Sequence, residues 1–200
     1  MNYGSIRTHF KALLNRSDIT DALADTFIAQ GITRIQRSLR IPSMEVKNTY
    51  NFSSQTAEVT LPSDFLEAID IYFGSGDLTR LPMREMQEMS QGNEVGSPRY
   101  FSREGSKFIL YPQPSSGSLI LNYYASFEEL TTDSSVNNLS NIGSDLIIYA
   151  ALTYASDYYL DERSSVFDAK YMAFMSEIQE QANEQELTGS IQSIRPSYRI

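Results

Sequence analysis

The sequence predicts an α+β protein: a helical bundle from the N- and C-terminal segments, an inserted antiparallel β-domain, and an extended C-terminal arm. Three observations predict it. Apolar residues recur at steps of three and four near both ends of the chain, the period of a helix with one covered face. Between them lie short runs rich in β-branched and aromatic residues, broken by glycine and proline, as strands and turns are. Residues 188–200 then change character, with no acidic side chain, a proline, and isoleucines spaced along the chain. The division that follows is residues 1–42 with 144–187 as the helical domain, 43–143 as the β-rich insertion, and 188–200 as the arm.

Residues 3–15 are predicted as a short amphipathic helix with Ile6, Phe10 and Leu13 or Leu14 on one face. Ser17 or Asp18 is the expected cap of a longer helix running to about Arg40. Leu23, Phe27, Gly31, Ile35 and Leu39 share a stripe on it. A mid-helix glycine costs about 1 kcal/mol against alanine, so Gly31 predicts the close approach of another backbone. Arg34, Arg37 and Arg40 suit the negative end of the helix dipole, and Pro42 stops the helix.

Residues 44–52 and 56–61 are expected to pair with each other, 66–73 to form a further strand, and 78–81 a short one. Residues 83–90 are predicted as a short helix with Met83, Met86 and Met89 at three-residue steps. Residues 96–127 organise the insertion as three consecutive strands, over 98–103, 107–111 and 119–127, separated by Glu104-Gly105 and by Pro112 to Ser118. Residues 128–143 form a polar connector. Ser144 is the expected cap of a helix over 145–160, whose segment LIIYAALTYA is apolar on all faces. Such a helix is covered all round, by a helical layer and by a neighbouring subunit. Residues 166–186 are the last helix, with Phe167, Tyr171, Phe174, Ile178 and Ala182 on one stripe and an acidic opposite face.

A chain of 200 residues can bury roughly 70% of its unfolded surface, enough for a sizeable core. Its formal net charge of −9 argues against phosphate-backbone binding, which needs clustered Lys and Arg to displace counterions. There is no cysteine, hence no disulfide frame and no thiolate metal site. No apolar run is long enough for a signal peptide or a membrane span, so a soluble intracellular product is expected. Thirteen tyrosines beside no tryptophan suit half-covered interfaces, where a ring is buried and its hydroxyl stays wet.

Candidate chemistry is sparse. The single histidine, His9, has no second His and no Cys to complete a zinc set. Asp157 and Asp161 are four apart on one helix face beside Glu162, a spacing that can hold a hard cation or serve acid–base work. A solvated turn with Arg163 as counter-charge explains them more simply. The acidic face of the last helix is either a solvated surface or one that repels nucleic acid. The methionines of 83–90 are either packing or an adaptable patch. No glycine-rich phosphate loop and no nucleophile motif is present, so no enzyme, cofactor or metal is predicted. The arm suits a segment that orders along a partner, because disordered tails are usually poor in apolar residues.

Three stretches together resemble the head-to-tail adaptor (connector) proteins of short-tailed bacteriophages, the tail tubular protein A and adaptor ring proteins. The first is Leu61-Pro62-Ser63-Asp64-Phe65-Leu66. The second is Gly96-Ser97-Pro98-Arg99-Tyr100-Phe101, Glu104-Gly105, Leu110-Tyr111-Pro112-Gln113-Pro114 and Leu121-Asn122-Tyr123-Tyr124. The third is Tyr149-Ala150-Ala151-Leu152 with Ala155 and Leu160-Asp161-Glu162-Arg163. The likeness runs over residues 20–175; Phe101 stands where tyrosine is commoner. It implies a virion protein assembled in the host cytoplasm, a dodecameric homo-oligomer ring beneath the capsid portal. Such a ring continues the DNA channel without sequence-specific binding, docks tail or nozzle proteins, and uses no membrane.

It also implies that the arm engages the portal protein through Ile191, Ile194, Arg195, Tyr198, Arg199 and Ile200. A head-to-tail ring needs two different complementary faces on each subunit. Ile148, Tyr149, Leu152, Tyr154 and Tyr158 are the candidates for subunit contact. The competing expectation is a tail-associated module whose tyrosine-rich β-domain binds carbohydrate or a receptor; a hydrolase using Asp157 and Asp161 ranks last.

Overall fold

The computed structural model describes residues 1–187. They fall into two compact units: Met1–Ser43 with the chain from Phe127 onward, and Met44–Ser126. The first unit is helical. Its helices are α1 (Tyr3–Leu14), α2 (Asp21–Ser38), α4 (Asn138–Ile142), α5 (Ser144–Tyr158) and α6 (Ser164–Leu187). The second is built on β1 (Glu45–Phe52), β2 (Glu58–Thr60), β3 (Phe65–Phe73), β4 (Gly76–Asp77), β5 (Thr79–Arg80), β6 (Tyr100–Glu104), β7 (Lys107–Tyr111) and β8 (Gly117–Ala125), with the short helix α3 (Met83–Ser90). The protein is α+β, as its sequence predicts.

In the helical unit, α1 starts where the Asn2 side chain accepts from the Ser5 N–H and ends where Asn15 turns left-handed. Tyr3, Ile6, Phe10 and Leu14 form its buried stripe; Leu13 points outward. α2 is capped by Thr20, whose hydroxyl accepts from the Leu23 N–H. Ser17 and Asp18, the expected caps, precede that point, because Asp18 is occupied by a bidentate ion pair with Arg16. Ala24, Phe27, Ile28, Gly31 and Ile35 are buried along α2. A Cβ on Gly31 would lie 2.8 Å from the Ala151 nitrogen of α5 and 3.1 Å from the Ala150 carbonyl carbon. The glycine therefore lets two helix backbones meet, as its position in the stripe implied.

Residues 127–143 belong to the helical unit, whereas their polar composition grouped them with the insertion. The reason is a set of specific hydrogen bonds. Asn137 and Ser140 form a buried capping box for α4. The N–H groups of Tyr3 and Gly4 donate to the carbonyls of Ser135 and Asp133 at 3.0 Å each. Arg7 pairs with Asp25 and Asp133.

The β unit is two four-stranded sheets in the orders β1-β8-β3-β4 and β2-β7-β6-β5. Phe52, Val59, Ile71, Phe101, Phe108, Leu110, Leu119, Leu121 and Tyr123 are among its core residues, drawn from both sheets. β8 is central, and its burial alternates strictly, with Leu119, Leu121, Tyr123 and Ala125 inside. The two strands expected to pair, β1 and β2, lie in different sheets, β1 on β8 and β2 on β7. The predicted triplet is likewise divided: β6 and β7 form a hairpin, while β8 crosses to the other sheet. Gly117, with φ +108°, makes that crossing; a Cβ there would meet the Phe73 ring at 2.8 Å. Each sheet buries one face against its neighbour, so tight-turn hairpins alone do not decide which strands share a sheet.

Candidate functional site

α5 carries every predicted subunit-contact residue. Ile148 and Leu152 are 4% and 0% exposed. They are covered by their own chain, because α5 packs against α1, α2, α4 and α6. Those two side chains thus find their cover within the chain. Tyr149 and Tyr154 are half-buried. The Tyr149 ring lies 5.4 Å from that of Phe174 and 6.3 Å from that of Phe167, and its hydroxyl accepts from Lys170 Nζ at 3.1 Å. Tyr158 is 63% exposed, and its ring lies tilted against that of Phe27, with centroids 5.6 Å apart. The arm residues Ile191, Ile194, Arg195, Tyr198, Arg199 and Ile200 lie outside the described residues.

Asp161 does not form an open carboxylate pair with the exposed Asp157. It accepts from the Arg163 N–H at 2.9 Å and from the Arg163 guanidinium at 2.6 Å. The Arg163 side chain and then its N–H hold the Asp161 carboxyl down at about 2. Arg163 also donates to the Leu13 and Leu14 carbonyls at 3.3 and 3.0 Å, placing a cation at the C-terminal end of α1. This is a clasp between the α5–α6 turn and α1, not an acid–base pair. Among the described residues no group of three His, Cys, Asp or Glu side chains is placed to hold a metal ion. His9 is exposed on α1. Of the α3 methionines Met86 is buried, with Met89 exposed and Met83 between.

Two surface features had no signal in the sequence. The first is Leu160. The Asp161 N–H donates to the Ser156 carbonyl at 2.8 Å and the Leu160 N–H to the Asp157 carbonyl at 3.3 Å. That pair of bonds is a Schellman ending of α5, with Leu160 at the left-handed position that glycine usually takes. Leu160 has φ +52° and is 88% exposed. A helix that ends this way without glycine leaves no composition cue.

The second is a groove of about 520 Å³ in the β unit. Phe65 to Ile71 of β3 and Asp77 line one wall; Leu78, Arg80, Phe101, Arg103 and Phe108 line the other. It opens because β4 pairs with β3 only at Tyr72 and Phe73. Register shifts at Leu66 and Ile69 bend the remaining edge of β3. The Phe108 ring meets Phe65 at 5.8 Å and Phe101 at 5.1 Å, and Arg103 lies over the Phe65 ring at 5.2 Å. The tyrosines of this unit are buried or half-buried instead. Tyr123, by burial and by donating to Asp64, has its pKa pushed up to about 12.

Among the described residues no helix is long and apolar enough to cross a membrane. No curated protein matches the chain. The family model described as SU10 adaptor protein matches residues 1–195. A match of that extent shows that the chain belongs to the SU10 adaptor protein family, in keeping with a structural bacteriophage head-tail adaptor.

Proposed function

We propose that the protein forms a dodecameric ring between the capsid portal and the tail, continues the DNA channel, and presents a surface to which tail or nozzle proteins dock. The observation that carries this is the family match over residues 1–195, joined to the ordered likeness of the three stretches described above. The net charge of −9 supports it, since DNA passes an acidic wall without adhering. Residues 188–200 are the portal-binding arm in this proposal, and Arg195 and Arg199 with the isoleucines and Tyr198 are its contacts. The product is a virion component assembled in the host cytoplasm, without enzymatic activity or cofactor.

The competing carbohydrate-binding reading draws less support, because sugar stacking needs open aromatic faces and the tyrosines of the β unit are covered or half-covered. The test is direct. Deleting residues 190–200 leaves a folded protein that no longer co-sediments with purified portal rings. Undiminished co-sedimentation of the truncated protein overturns the arm's role. Negative-stain images of full-length protein with portal that show no added ring overturn the adaptor placement.

A further inference from the structure

We propose that the turn from β5 into α3, together with the face of β6 that α3 covers, is a binding site for a small phosphate monoester. The site goes beyond the ring reading and does not depend on it, because every group it uses lies in the β unit of one chain.

The site is a cavity of about 390 Å³ lined by Arg80, Leu81, Pro82, Met83, Ser102 and Arg103. β5 runs parallel to β6, with Arg80 beside Phe101, and the Leu81 N–H donates to the Phe101 carbonyl at 2.8 Å. Pro82 then opens α3 as its N-cap, so no side chain accepts from the first turn. The first helical bond runs from the Met86 N–H to the Pro82 carbonyl at 3.1 Å. The N–H groups of Met83, Arg84 and Glu85 precede it and find no acceptor among the described residues.

Ser102 turns this open helix start into a site. Phe101 packs into the core of the β unit. The next side chain on the strand, Ser102, therefore points to the opposite face, where α3 packs on β6. Ser102 is 2% exposed, and its hydroxyl has no hydrogen-bond partner among the described residues. No fully enclosed side-chain polar atom among those residues lacks a partner, so this hydroxyl borders the open space of the cavity. A covered hydroxyl with nothing to bond is costly until a ligand satisfies it.

Two cations complete the lining. Arg103 is fixed along its stem: Nε donates to the Gly105 carbonyl at 3.1 Å, and the guanidinium lies over the Phe65 ring at 5.2 Å. Its terminal nitrogens make no ion pair among the described residues, and the Arg80 guanidinium has neither ion pair nor hydrogen bond there. Glu67, Asp70 and Asp77 line the groove that shares these arginines, but they do not line this cavity and neither arginine pairs with them. Glu85, the acid of the first turn of α3, is exposed and outside the lining. Arg84 is taken up by Glu88 at 3.2 Å.

Every polar side chain of the lining can donate, and two carry positive charge, so the ligand is an anion. One arginine fork suffices for a planar carboxylate. Donors converging from β5, from the start of α3 and from β6 suit the several oxygens of a tetrahedral phosphate. Leu81, Pro82 and Met83 leave an apolar remainder for the organic part of the ligand. The net charge of −9 disfavours a polyanion such as nucleic acid and favours a small molecule.

The test is titration of the isotope-labelled chain with phenyl phosphate at fixed ionic strength, followed through its backbone amide resonances. The expected result is saturable shifts at Met83, Arg84 and Ser102 with a Kd of about 1 mM or below, and none with sodium acetate. Arg80→Gln weakens binding about ten-fold and Ser102→Ala about five-fold. Lys47→Gln on β1 removes the same charge elsewhere and leaves binding unchanged. The amide spectrum of each variant shows that it is folded. No saturable shift below about 10 mM, or equal affinity in Arg80→Gln and Lys47→Gln, overturns the site. Equal binding of acetate, or tighter binding of a duplex DNA oligonucleotide at the same amides, overturns the phosphate monoester as its ligand.

Discussion

In the helical unit the buried residues of α1 follow one another at steps of three and four, Tyr3, Ile6, Phe10 and Leu14, and α2 keeps the same period. In the β unit β8 alternates as strictly, yet its neighbours are β1 and β3, from far earlier in the chain. Both units hide apolar faces. They differ in where the cover comes from. A helix carries its backbone partners within itself, so only its stripe must find a neighbour. A strand leaves its backbone bonds to whichever strand lies alongside, and the choice of that strand is made by the whole unit. The helical unit therefore tolerates little at helix crossings, and the β unit tolerates little in its central strand.

The largest effect is expected at the α2–α5 crossing. Gly31→Val drives side-chain atoms into the Ala150–Ala151 backbone, which cannot yield as a side chain can, and destabilises the protein by about 3 kcal/mol or more. Urea denaturation followed by circular dichroism measures it; a loss below about 1 kcal/mol would show that the crossing is loose. Leu121→Ala removes a fully buried side chain from β8 and costs about 3 kcal/mol, with amide exchange rising first in β1, β3 and β8. Exchange that accelerates equally in α5 would end the contrast between the units.

Smaller changes sharpen it. Gly117→Ala, at φ +108° against the Phe73 ring, costs about 2 kcal/mol, read as a lower thermal midpoint. Leu160→Gly goes the other way and stabilises the chain by about 1 kcal/mol, because it relieves a left-handed leucine that packs on nothing. A destabilised Leu160→Gly would mean the side chain is used within its own fold. The smallest effect is a pH dependence. The Asp161 carboxyl is held at about 2 by Arg163, below its ordinary value, so its contribution to stability is full above about pH 4 and fades as pH falls through about 2. Asp161→Asn removes that part of the acid loss in urea midpoints measured from pH 5 downward.

Much of the fold was legible. The helices α1, α2, α3, α5 and α6 follow periodicity to within a few residues at their ends, and Gly31 announced a backbone contact through its place in an apolar stripe. The strands of the insertion were also legible one by one. Their pairing was not: β1 and β2 are neighbours in sequence but belong to separate sheets, because alternation says which face is buried and not beside which strand. Residues 128–143 were read by composition as a connector, yet Asn137 and Ser140 are among the few buried polar residues in the described part of the chain. A capping box has no hydrophobic period to reveal it when its helix is this short.

The candidate surfaces divide the same way. The apolar face of α5 was read from the sequence as material for contact between subunits, and the tertiary structure assigns Ile148 and Leu152 of it to the chain's own core. Leu160 and the β3 groove carry no pattern that a linear scan detects, since one depends on a backbone angle and the other on where β4 stops pairing. The sequence by itself determined the α+β class, the period and covered face of each long element, and the absence of thiol chemistry, because these depend on residues close together or on composition. Only the tertiary structure decided which strands share a sheet, which apolar residues remain outside, and where arginines stand beside an open recess. Those properties depend on residues far apart in the chain and brought together by the packing of the whole unit.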